Sequence, residues 1–189
     1  TSLLRAVKVT TPIAVVVNLF GPLGIKGGLL YLFGVGMGVA YNFYFKSTLL
    51  SPLPYALAFA ALVSSIVIAT DRTPPLWLIA SGSLLGVAAH FANVLKDLDQ
   101  DRTSGIKGLP QKLGKKVSRL ICATLLVATT LLLHLTVSNT PLLVIGLITA
   151  LITSFAPDKV IFKSLMITVI IDLILLLSAV DSKIGSFVV

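Results

Sequence analysis

Apolar runs of about 17 to 21 residues recur along the whole chain, parted by short polar or Gly/Pro-containing connections. That is membrane-spanning length, and no other feature limits the fold as strongly. Seven helical segments are expected: Leu4 to Phe20, Gly27 to Phe45, Leu53 to Thr70, Leu76 to Leu95, Val117 to Val137, Leu142 to Ala156 and Val160 to Val180. Gly21, Pro22 and Gly24 end the first, and Pro74 and Pro75 precede the fourth. The Gly34, Gly36, Gly38 series offers small residues where helices can approach closely. The fold class is therefore all-α, a polytopic transmembrane helix bundle, with residues 1–189 forming one domain.

Composition rules out the soluble alternatives. The chain is 56% hydrophobic and 12% charged, with a mean hydropathy of +1.02, unlike a soluble domain of 189 residues. The lone cysteine, Cys122, lies in an apolar run, so neither a disulfide framework nor a cysteine metal site is available. A net charge of +8 raises the question of nucleic acid, but in such a chain it reflects cytoplasmic loops. If the start of the chain and loops 46–52, 96–116 and 157–163 share a side, that side holds all but Lys26, Arg72 and Lys183 of the 15 Lys and Arg residues. It is then the cytoplasmic side.

The chemistry concentrates in one polar stretch, His90 to Gly114. It carries Asp97, Asp99 and Asp101, three of the 7 acidic residues, all of them Asp. His90, Asn93, Asp97 and Asp101 share one helical face, while Asp99 points to the other side. Two carboxylates one turn apart repel unless a positive charge lies between them. Oxygen ligands at this spacing suit Mg²⁺, which commonly joins carboxylates to a substrate's phosphates. Arg102, Lys107, Lys112, Lys115 and Lys116 follow and offer cations for the same phosphates. The bland alternative is a solvated Asp/Lys connection, but the ordered string D-x-x-x-D-x-x-x-G, then I-K-G-L-P-x-x-L-G, departs from generic loop composition.

Asn93-x₃-Asp97-x₃-Asp101-x₃-Gly105 with Ile106-Lys107-Gly108-Leu109-Pro110 and Leu113-Gly114 resembles the second aspartate-rich motif of the UbiA superfamily of intramembrane prenyltransferases. Tyr41-Asn42-Phe43-x-Phe45-Lys46-Ser47-Thr48, followed by Ser51-Pro52-Leu53-Pro54-Tyr55, resembles the Tyr…Lys segment of that superfamily. The resemblance implies a nine-helix bundle, with the seven spans here matching helices three to nine. It implies a polyprenyl diphosphate and a small acceptor as substrates, with an aromatic acceptor the first expectation. It also implies Mg²⁺ held by two Asp-rich motifs. The first motif, N-D-x-x-D-x-x-x-D, is absent, and no Asp precedes Asp71. With Thr1 in place of Met, the expectation is an amino-terminally incomplete domain, with two further helices and that motif encoded upstream. The alternative is a catalytically inactive homologue.

On this reading Asp97 and Asp101 ligate the metal and Lys107 stabilises the leaving diphosphate. Lys46, Tyr41, Asn93, Arg102 and His90 are candidates for substrate contact, and Asp99 is solvated. Asp172 lies mid-segment in the last helix, where an ionisable group costs about 2.5–3.5 kcal/mol on insertion scales, so a polar partner on a neighbouring helix is expected. His134 and Asn18 are weaker cases of the same kind. A transporter or channel is the rival class, but it predicts polar residues spread over several helices. A bacterial or archaeal cell membrane is the expected location, with the Asp loop cytoplasmic.

Overall fold

Inside a bilayer the backbone finds no water, so each apolar run satisfies its N–H and C=O groups by coiling into a helix. A computed structural model describes residues 2–137 and 139–184. Among these residues there are seven α-helices and no strand: α1 (Ser2–Phe20), α2 (Gly24–Ala40), α3 (Leu53–Ile68), α4 (Leu76–Thr103), α5 (Leu109–Val137, broken by a kink at Gly114, φ 81°), α6 (Thr140–Phe155) and α7 (Asp158–Ile184). A π turn, Tyr41–Phe45, continues α2 without a break. The architecture is an all-helical membrane bundle, as the apolar runs require.

Among the described residues, three stretches are long and apolar enough to cross a membrane: Gly24–Phe45, Leu76–Thr103 and Leu109–Thr136. Val7–Phe20, Leu53–Ile68 and Leu143–Phe155 are shorter apolar helices. Turn chemistry trims α3 in particular, between Ser51-Pro52 and the Asp71–Pro75 connection. There Asp71 adopts φ 56°, a conformation that Asp tolerates better than most residues.

α4 is the centre. Its span is 56% buried, against 11% for that of α2, and it packs on α3, α5 and α7. Ala88, Phe91 and Ala92 of α4 meet Cys122 and Leu126 of α5, Ala150 of α6 and Leu165 of α7. One to two turns on, Val94, Leu95 and Leu98 pack with Ala156 and Ile161. In lipid such contacts stabilise by close van der Waals packing, since the tails outside are equally apolar. Val9, Ile13, Val17 and Phe20 of α1 and Val35 and Val39 of α2 are exposed and face outward.

Close approach occurs where small residues meet neighbouring backbone, though mostly not at the glycines expected. Gly34 does pack against Ala58 and Ala61 of α3, but Gly36 and Gly38 face open space. Two crossings are tight: α1 on α2, where a Cβ on Gly28 would lie 2.0 Å from the Asn18 carbonyl oxygen, and α3 on α4, where one on Gly86 would lie 2.3 Å from the Tyr55 carbonyl oxygen. The sequence marks small residues. Only helix rotation decides which of them face a neighbour.

The intramembrane carboxyl finds the expected kind of neighbour. Asp172 is fully buried, and Thr130 of α5 donates to its Oδ1 at 2.9 Å. Thr153 and Ser164 pair 2.8 Å apart across α6 and α7. Asn18 donates to the Ala14 carbonyl of its own helix at 2.7 Å.

Candidate active site

Two local devices build the site. The first is the π turn. The Lys46 N–H donates to the Tyr41 carbonyl at 2.8 Å, an i→i+5 bond. In α-helical geometry residue 46 would point about 140° away from residue 41. The wider turn brings the two side chains to one side, and π turns recur at functional sites for this reason. The second device ends α4. Gly105 takes φ 77°, the Gly105 N–H bonds the Arg102 carbonyl at 3.1 Å, and the Ile106 N–H bonds the Asp101 carbonyl at 3.0 Å. This 5→2, 6→1 closure explains the glycine four residues after Asp101: only glycine reaches that φ cheaply. It leaves Asp97 and Asp101 on the last two turns, at the polar end of the bundle.

Between these devices lies a cleft of ≈ 340 Å³. Gly38, Tyr41, Asn42 and Lys46 line one wall, Asn93, Val94, Asp97 and Asp101 the other, and Tyr55 of α3 completes it. Lys46 Nζ is 3.9 Å from Asp101 Oδ1, so a cation reaches across the cleft toward the carboxylate pair. The Asp101 side chain is 14% exposed and that of Asp97 51%, which makes Asp101 the inner carboxylate and Asp97 the outer one. Lys96 lies 3.8 Å from Asp97. Asp99 lies outside this set, 75% exposed and 2.7 Å from Lys115.

Of the residues expected from sequence, Tyr41, Lys46, Asn93, Asp97 and Asp101 meet in this cleft. Lys107, Arg102 and His90 do not line it. Lys107 is exposed on the loop after α4. The Arg102 guanidinium donates to the Gln111 carbonyl at 2.7 Å, tying the end of α4 to the start of α5. His90 is fully buried behind the wall, with Nε2 3.1 Å from Ser51 Oγ. Its ring packs 4.9 Å from that of Tyr55 and 5.5 Å from that of Tyr41. Shared helical phase with Asp97 put His90 on the right face but one layer too deep.

Three contributors carried no assigned role in the sequence reading: Asn42, Tyr55 and Gln111. Tyr55 sits in the Pro-Leu-Pro-Tyr string that accompanies the Tyr…Lys segment. Its ring stands edge-on to Tyr41 at 5.1 Å, so α3 supplies part of the aromatic wall. Gln111 had no signal, since its importance lies in a contact across ten residues. Its Nε2 donates to Asp101 Oδ2 at 2.9 Å.

The donor set suits a hard cation. Asp97, Asp101 and Asn93 offer oxygen, and the cleft wall has no thiol or imidazole. Among the described residues no three His, Cys, Asp or Glu side chains gather to hold a metal. Two carboxylates opening onto a cleft fit Mg²⁺ shared with substrate oxygens, because Mg²⁺ keeps several positions for water and phosphate.

No curated protein and no solved structure matches the chain. A family model does: that of the UbiA prenyltransferase family, over residues 3–160. The match takes in α1 through the first residues of α7, with both walls of the cleft and the whole Asp string. On that match the chain belongs to the UbiA prenyltransferase family, a family of membrane prenyltransferases.

Proposed function

We propose that this chain moves a prenyl group from a polyprenyl diphosphate to a small acceptor, aromatic in the first instance, with Mg²⁺ held at Asp97 and Asp101. The observation that carries this reading is the cleft itself. It gathers two carboxylates, a lysine, two asparagines and two tyrosines from three separate helices at the polar end of an apolar bundle. Breaking the C1–O bond leaves its electron pair on the diphosphate, and the acceptor then adds to C1 and releases a proton. Bound Mg²⁺ would neutralise charge developing on the diphosphate. Lys46, already within 4 Å of Asp101, supplies a second positive charge from the opposite wall. Lys107, on the exposed loop after α4, is proposed as a further diphosphate contact. Arg102 is committed to the Gln111 carbonyl, and His90 to Ser51, so both support the wall. The rings of Tyr41 and Tyr55 give the cleft an apolar, π-rich side against which an allylic cation is stabilised.

The test is transfer from a radiolabelled polyprenyl diphosphate, with Mg²⁺, by the protein in liposomes against a panel of acceptors. The reading expects one acceptor class to become labelled. It also expects Lys46→Met to slow transfer about 10- to 100-fold, the worth of a hydrogen bond to a charged group. Binding of the diphosphate without transfer to any acceptor is the result of an inactive homologue and would overturn the proposal.

Orientation is proposed from the Lys/Arg bias, with the Asp loop cytoplasmic. Ser104 is exposed on that loop and Cys122 is buried, so Ser104→Cys supplies a single reactive thiol. A membrane-impermeant maleimide should label it only after the cytoplasmic face is opened. Labelling of intact cells would invert the topology.

A further inference from the structure

Gln111 is one of the buried polar side chains that keep an unpartnered atom. It lies on the first turn of α5, 6% exposed, with Oε1 buried and without a hydrogen-bond partner. Buried unpaired polar atoms are rare because each forfeits its solvation, so one that persists calls for a reason. The reason visible here is the other end of the amide. Nε2 donates to Asp101 Oδ2 at 2.9 Å. The direction is set by chemistry, since an ionised carboxylate only accepts and the amide oxygen in that place would repel it.

The surroundings hold this amide in place. Arg102 donates to the backbone carbonyl of Gln111 at 2.7 Å. Gly108 leaves the room it occupies, since a Cβ there would lie 2.6 Å from Gln111 Oε1. Behind it, Ser51 Oγ accepts the Leu109 N–H at 3.1 Å, anchoring the start of α5 to the loop after the π turn. The consequence falls on Asp101. With Oδ2 engaged by Gln111, the carboxylate keeps Oδ1 toward Lys46 and the cleft.

We propose that Gln111 is a positioning residue, whose amide fixes the Asp101 carboxylate so that one oxygen is presented to a divalent cation and its diphosphate. This rests on the reading of Asp101 as a cation ligand. A fixed carboxylate loses little rotamer freedom when the cation arrives, and the one oxygen it leaves toward the cleft, 3.9 Å from Lys46, matches the single-oxygen contacts Mg²⁺ favours. Groups that orient a metal ligand in this way typically account for 10- to 100-fold in metal affinity.

The experiment is a Mn²⁺ titration of the purified protein in detergent with inorganic diphosphate present, read by the electron paramagnetic resonance signal of free Mn²⁺. Four variants are compared: Gln111→Leu, Asp101→Ala, the double variant, and Ser118→Ala. Ser118 is fully buried and donates to the Pro110 carbonyl at 3.2 Å, so its loss reports what any broken bond in this turn of α5 costs. The expected result is about a tenfold or greater rise in Mn²⁺ Kd for Gln111→Leu, little change for Ser118→Ala, and no further loss when Gln111→Leu is added to Asp101→Ala. If Asp101→Ala weakens Mn²⁺ binding but Gln111→Leu does not, the inference fails and the Asp101 assignment stands. Equal losses from Gln111→Leu and Ser118→Ala, or additive losses in the double variant, also overturn it, because the effect is then generic. If Asp101→Ala leaves Mn²⁺ binding intact, the Asp101 assignment falls and the inference with it. Gln111→Asn, shorter by one methylene, should recover only part of the affinity if reach to Asp101 is what matters.

Discussion

Replacing either Asp97 or Asp101 by alanine is expected to abolish most prenyl transfer, while Asp99→Asn changes the rate only a few-fold. Each of the first two carboxylates opens on the cleft. Removing one charge-stabilising contact typically costs about 3–4 kcal/mol, or roughly 10²–10³ in rate. Loss of the cation itself should cost more. The two losses should differ in kind. Asp97 is half exposed at the mouth, so its loss chiefly weakens cation affinity, and excess Mg²⁺ should recover part of the rate. Asp101 is the inner carboxylate, and its removal also strands Gln111 and Lys46, so Mg²⁺ should rescue it less. Asp99 pairs with Lys115 on the exposed side, and such surface pairs contribute about 0–1 kcal/mol. Helix content should be unchanged in all three, which circular dichroism in the same detergent would show. An Asp99→Asn variant as damaged as Asp97→Ala would contradict the one-face geometry. Full activity in all three would leave the loop a mere solvated connection.

A large structural effect is expected at Gly86. A Cβ there would sit 2.3 Å from the Tyr55 carbonyl oxygen and 2.9 Å from its carbonyl carbon. These are backbone atoms, so no side-chain rotation relieves the clash and α3 must move away from α4. Overpacking of this kind costs about 1–3 kcal/mol and occasionally more. For a protein of this size that corresponds to roughly 2–4 °C in Tm for each kcal/mol. Gly86→Val should therefore lower the apparent Tm in detergent by several degrees. Tyr55 is on the cleft wall, so the displaced helix should also weaken substrate binding beyond what stability explains. Gly36→Ala is the control. Its Cβ meets nothing within 4 Å, and alanine favours a helix over glycine by about 0.5–1 kcal/mol. It should leave the Tm unchanged or raise it. A Gly86→Val variant as stable as Gly36→Ala would mean the α3–α4 crossing is not set by this contact.

Much of the molecule was legible from residue order because membranes impose strong local rules. Runs of membrane-spanning length must coil, so seven helices could be placed, and the Asp string could be read as the end of the fourth. Helical phase alone put Asn93, Asp97 and Asp101 on one face and Asp99 on the other. The D-x-x-x-D-x-x-x-G spacing was visible too, although that Gly105 closes the helix just beyond the second carboxylate came from its backbone conformation. All of these depend on residues within about three turns of one another. Such relations are fixed by backbone geometry before anything packs.

What needed the tertiary structure depends on which surfaces meet. Helical phase could not reveal that His90 lies a layer behind the carboxylates, held by Ser51, because depth is a matter of the neighbouring helix. Nor could it give the side on which Lys46 sits. At α-helical pitch Lys46 and Tyr41 diverge, and only the i→i+5 turn brings them together at the cleft. Arg102 looked like a phosphate ligand from its charge, yet its geometry commits it to a backbone carbonyl. Gln111, which carries no charge and no periodic signal, gained its contact with Asp101 when the start of α5 folded back on the end of α4. Residue types and short-range spacing thus determined the helices and the chemistry on offer. The choice of which groups face one another across ≈ 340 Å³ was left to helix packing, because a contact between elements is a property of two surfaces and neither stretch encodes it alone.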